Sequence, residues 1–111
     1  MEWDLDLASD IELYDMYSEG LTFSDPDFIY FIPMARERVA RKLDYGKKVS
    51  ETDLNRLRLV DSYVLSNLES LPEDFDEDDP NQPFERWWWH LKAIKEDRFP
   101  RKFLPRSQGK A

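Results

Sequence analysis

A chain of 111 residues, 41% hydrophobic and 14% aromatic, holds too much apolar material to stay disordered and fits one domain with its own core. It has no cysteine, which excludes disulfides, thiolate nucleophiles and cysteine-ligated zinc. The net charge of −8 argues against direct nucleic-acid binding, and the longest apolar stretch, Phe28 to Ala35, is too short to span a bilayer.

Charge is spread in blocks. Residues 1–30 carry nine acidic groups and no Lys or Arg, residues 31–71 are at +2, residues 72–85 at −7 and residues 86–111 at +6. An acidic face of this kind steers a basic protein partner toward it. The start, Met1-Glu2-Trp3-Asp4, lacks the basic and apolar regions of a signal peptide, so the expected location is the cytoplasm.

Glu2 to Leu7 alternates, with Trp3, Leu5 and Leu7 against Glu2, Asp4 and Asp6. That period of two predicts an extended acidic segment over residues 1–8. Ser9 with Glu12 forms a capping box that opens a first helix, and Gly20 is its expected stop. Ser24-Asp25-Pro26 then reads as a cap with proline in the first turn. Phe28, Phe31, Ile32, Ala35, Val39 and Leu43 share one stripe at helical spacing, which predicts a helix from Pro26 to Tyr45, kinked near Pro33. The alternative is a strand over Phe28 to Ile32 with the helix starting at Pro33. Gly46 ends the helix in either case.

Ser50, with Asp53 at the capping-box position, opens a third helix. Its stripe comprises Leu54, Leu57, Val60, Val64, Leu65, Leu68 and Leu71, and Pro72 ends it. Residues 73–83 are acidic and proline-punctuated, a loop. Pro83 opens a fourth helix reaching Asp97, and residues 107–111 form a disordered tail. The expected fold is mainly α: a single helical domain over 1–106, a small bundle of about four helices with an extended N-terminal segment.

Three places break the pattern. Asp74, Asp76, Asp78 and Glu85 stand at positions 1, 3, 5 and 12 of an EF-hand-like loop, where alternate carboxylates wrap calcium. However, Asp79 occupies the turn position that requires glycine. In the run Trp87-Trp88-Trp89, a continuous helix aligns Trp87 and Trp88 with Phe84, Leu91 and Ile94 and turns Trp89 about 160° away. Trp89 is then either covered by Phe99, Phe103 or Leu104, or left open as a partner anchor. Asp61 falls within the apolar stripe of the third helix, where a carboxylate needs a cation or donors. Arg38, Lys42, Arg86 and His90 are the candidate partners, and a structural ion pair is the expected outcome.

These features support a small acidic cytoplasmic interaction module, an adaptor, inhibitor or immunity-type regulator, that needs no cofactor. Trp3, Asp4, Asp6 and Trp89 are its expected partner-binding residues, and its partner is a protein with a basic surface. One alternative is a calcium-responsive regulator using the 74–85 loop. The other is an enzyme with Asp61 and His90 as an acid/base pair.

Overall fold

Asp6, rather than Ser9, starts the first helix in the computed structural model, which describes residues 6–46 and 49–105. Its carboxylate accepts the Ser9 N–H at 2.7 Å. A carboxylate at this end also meets the positive end of the helix dipole. Helix α1 therefore runs over Leu7–Ser18. Leu7 and Ala8, expected to be extended, are helical instead, because Leu7 joins Ile11 and Tyr14 on one buried stripe. The expected extended segment otherwise lies in residues 1–5, outside the described residues, as does the expected tail.

Gly20 does not stop the helical path; it opens the one-turn α2 (Gly20–Phe23). Glycine is required there because a Cβ on residue 20 would lie 2.6 Å from the Phe28 Cβ. Ser24, at φ 55°, makes the left-handed turn that ends α2. Asp25 caps α3 (Pro26–Ile29), accepting the Asp27 N–H at 3.1 Å. The expected kinked helix divides into two at Tyr30 and Phe31, and α4 covers Ile32–Asp44. Pro33 has no N–H to return to the preceding turn, so it sits in the first turn of a new helix. The break turns Phe31 off the stripe, leaving it 43% exposed while Ile32, Ala35 and Val39 are buried. Gly46, at φ 79°, closes α4 as expected.

Helix α5 (Glu51–Ser66) starts as the capping box predicts: Ser50 Oγ accepts the Asp53 N–H at 3.0 Å. Leu57, Val60 and Val64 are buried along it, and the chain continues through a 3₁₀ turn at Leu68–Ser70. The acidic loop that follows is pinned down. Phe75 is 1% exposed and stacks on Tyr30 at 5.5 Å, and the Asp79 N–H donates to the Trp89 carbonyl at 2.8 Å.

The expected helix over 83–97 is mostly absent. Residues 84–86 form a turn, Trp87–His90 a 3₁₀ turn, and only Leu91–Lys95 the α-helix α6. The reason is a remote cap: the Asp78 carboxylate accepts the Lys92 and Ala93 N–H groups, each at 3.0 Å, and so sets where α6 begins.

Helix α1 packs on α4 and α5, the Trp87–His90 turn covers α4, and α6 lies on the Leu68–Ser70 turn. The result is a small, mainly α bundle. Side chains from every helix meet in one core, where fully burying each Leu, Ile or Val contributes about 1.5–3 kcal/mol. No helix among the described residues is long and apolar enough to cross a membrane.

Candidate functional site

Asp61 is 7% exposed and has an ion-pair partner, but it is Arg36, not one of the four cations expected. Arg36 Nε and Nη2 donate to its two oxygens at 2.9 and 3.2 Å, and the Tyr14 hydroxyl donates at 2.6 Å. The remaining guanidinium nitrogen, Nη1, has no hydrogen-bond acceptor, and the group lies 4.3 Å over the Trp88 ring, a cation–π contact. A second buried pair joins α4 to α1: Lys42 Nζ is 2.6 Å from Asp10 Oδ2, and Arg38 Nε donates to Asp10 Oδ1 at 3.3 Å. Both pairs tie α1 or α5 to α4.

The tryptophan triplet is also collected by α4. Residues 87–90 form a 3₁₀ turn rather than part of an α-helix, and two of its three indoles reach one acceptor on α4. Trp88 and Trp89 Nε1 both donate to Glu37 Oε1, at 3.0 and 2.8 Å. Trp89 is half-buried beside Met34, Arg38 and Arg41, whereas Phe99 and Phe103 pack on Phe84 instead. Arg41 and Arg86 complete the surroundings of Glu37, reaching Oε2 at 3.2 and 3.5 Å.

Burial pushes the Glu37 carboxyl up, but the bonds from Trp89, Trp88 and Arg41, together with the Arg86 charge, outweigh it. The group sits below its ordinary value of 4.5. A carboxyl whose pKa is lowered by folding stabilises the fold above its ordinary value, and that contribution fades as pH falls through the lowered one. Against Glu37→Gln, the parent chain is expected to hold a constant advantage in melting temperature above about pH 5 and lose it in more acidic buffer. Melts of both chains from neutral to acidic pH check this. A difference that never changes with pH would mean the charge contributes nothing.

The four carboxylates of the expected calcium loop are not gathered. Asp78 turns to the start of α6, and Asp74, Asp76 and Glu85 are exposed. Among the described residues, no group of three or more His, Cys, Asp or Glu side chains is placed to hold a metal ion. Asp61 and His90 keep separate company. His90 Nε2 lies 3.0 Å from the Gln82 carbonyl, which can only accept, so Nε2 carries the proton. The His90 ring packs on Phe84 and Phe99 in the wall of a cleft of about 480 Å³ that does not include Asp61. Of the expected partner-binding residues, Trp3 and Asp4 lie outside the described residues, and Asp6 is committed to capping α1.

An open apolar surface with like-signed charge around it lies elsewhere, at α2. Phe23 is 74% exposed and, with Thr22, Asp15, Glu19 and Tyr63, lines a cleft of about 350 Å³. Glu12, Asp15 and Glu19 recur at i, i+3 and i+7, one stripe on the outer side of α1. Leu59, 62% exposed, stands one turn before Tyr63 on α5. One cation reaches in: Arg56 Nη2 is 3.4 Å from Asp15 Oδ2. No family model matches this chain, and no curated protein or solved structure matches it.

Sequence reasoning passed over Phe23. The available signal was weak: one aromatic between Gly20 and Pro26, in a stretch too short for any stripe to claim it.

Proposed function

We propose that this chain is a non-enzymatic interaction module of the cytoplasm that binds a protein with a basic surface, as an adaptor, inhibitor or immunity-type regulator. The observation that carries this reading is Phe23, a large aromatic 74% exposed in a segment, residues 1–30, that holds nine carboxylates and no cation. Exposed aromatics ringed by charge have the make-up of an interface anchor. The carboxylates speed encounter with a basic partner and reject an acidic one, while Phe23 supplies the buried contact after docking. Asp15, Glu19 and Tyr63 complete the docking face.

Capture from native lysate at about 50 mM salt compares the parent chain with Phe23→Ala and Glu19→Lys. A basic protein is expected on the parent, released by high salt and lost from both variants. Identical recovery by all three chains would refute the reading.

A further inference from the structure

The turn that ends α6 builds a second site. Asp97 takes the left-handed conformation at φ 62°, its N–H donates to the Ile94 carbonyl at 3.0 Å, and the Arg98 N–H donates to the Ala93 carbonyl at 2.8 Å. This paired closure stops the helix and reverses the chain. Phe99 is thereby laid against Phe84 and His90, with ring centroids 5.3 Å away in each case. The three rings line the cleft of about 480 Å³. Clefts of about 300–1,000 Å³, mostly apolar and holding a few fixed polar groups, are where small molecules bind.

The polar atom that matters stands in this wall. His90 is 5% exposed, and its Nε2 proton is given to the Gln82 carbonyl at 3.0 Å. Nδ1 is therefore a lone pair, able to accept and unable to donate. Among the described residues Nδ1 has no hydrogen-bond donor, nor is it one of the polar atoms sealed in the interior without a partner. It opens to the cleft that its ring lines. A guest that covers this lone pair without meeting it leaves a desolvated acceptor unpaired, so the guest needs a hydroxyl or an N–H.

Charge decides the rest. The charged lining is Asp76, Asp78, Lys92 and Arg98, two of each sign. Asp78 holds the α6 N–H groups, Lys92 Nζ donates to the Glu73 carbonyl at 3.0 Å, and Arg98 Nε donates to Glu96 at 2.9 Å. The signs balance and three of the four groups are engaged, which suits an uncharged guest. An aromatic one gains ring contacts with Phe84 and Phe99 as well.

We infer that this cleft binds a small, uncharged aromatic molecule carrying an N–H or O–H donor, which it presents to His90 Nδ1. The site shares no residue with the Phe23 face, so it goes beyond the proposed function and either can fail alone.

The test uses the full chain with ¹⁵N-labelled histidine. His90 is the chain's only histidine, so its ring nitrogens are assigned without variants. At about pH 8, above the range in which imidazoles ordinarily charge, two-bond ¹H–¹⁵N correlation is expected to place the proton on Nε2. Indole is expected to move the Nδ1 resonance saturably toward that of a hydrogen-bonded nitrogen while Nε2 stays nearly still. N-methylindole keeps both rings and lacks the donor, and is expected to bind about tenfold more weakly. Phe84→Ala removes a ring that is 43% exposed rather than one from the core, and is expected to weaken indole about two- to tenfold. A proton on Nδ1 overturns the inference, as does an Nδ1 resonance that indole leaves unmoved up to its solubility limit. Equal binding of the two indoles, or a Phe84→Ala chain that binds indole as the parent does, overturns it as well.

Discussion

Asp61→Ala is expected to melt more than about 10 °C below the parent chain. The carboxylate accepts from Tyr14 Oη and from Arg36 Nε and Nη2, so its removal strands a guanidinium that is itself 8% exposed. Leaving one member of a buried pair without its counter-charge costs about 3–5 kcal/mol, and each kcal/mol shifts the melting point of a chain this size by about 4–8 °C. Burial, and then the Asp61 charge, holds the Tyr14 pKa well above its ordinary value, so its hydroxyl stays a donor and also loses its acceptor. Total stability in such domains is about 5–15 kcal/mol, so the loss is a large fraction. Arg36→Met with Asp61→Leu removes both charges together and is expected to recover most of the loss, since apolar replacement of a buried pair is often neutral. Circular-dichroism melts of the three chains decide. A single variant that melts with the parent would show that the pair holds nothing, and a double variant as unstable as the single would assign the loss to shape rather than charge.

The second large effect separates two adjacent tryptophans. Trp88→Ala is expected to cost about 3–5 kcal/mol, and Trp89→Ala half of that or less. Trp88 is 4% exposed, meets Trp87 edge-on at 5.6 Å and carries the Arg36 guanidinium on its face. Its loss opens a cavity and uncovers Arg36 Nη1, which has no other acceptor. Trp89 lies at a groove edge, where water can replace much of what is removed. Urea unfolding midpoints, at unchanged slope, measure both. Equal losses would refute the division between an interior and an edge tryptophan.

Signals contained within a few residues were legible. The Ser50 cap with Asp53, the Asp25 cap before Pro26 and the Gly46 turn each depend on atoms less than a helical turn apart, and each stands where the pattern placed it. The apolar stripes over Ile32–Val39 and Leu57–Val64 are buried for the same reason: their spacing follows from helix geometry alone. The helix expected over 83–97 failed because what sets its start, Asp78, is 14 residues from the N–H it caps. Without that cap in view, Pro83 was the nearest start signal, and the bond from Trp89 to Glu37, 52 residues away, could not be anticipated. Asp61 was conspicuous as a carboxylate on an apolar stripe. Its partner was not, since Arg36 is 25 residues away and four other cations were equally eligible.

The amino-acid order alone determined the helical character of the chain, the Asp25, Gly46 and Ser50 signals and the unequal distribution of its charge, all of which follow from near neighbours along the backbone. Only the tertiary structure decided what each carboxylate does: Asp78 caps a distant helix, Asp10 and Asp61 hold buried cations, Glu37 gathers two indoles, and Glu19 remains open beside Phe23. The physical reason is that a carboxylate's role depends on which donors surround it, and here those donors arrive on other elements of the fold.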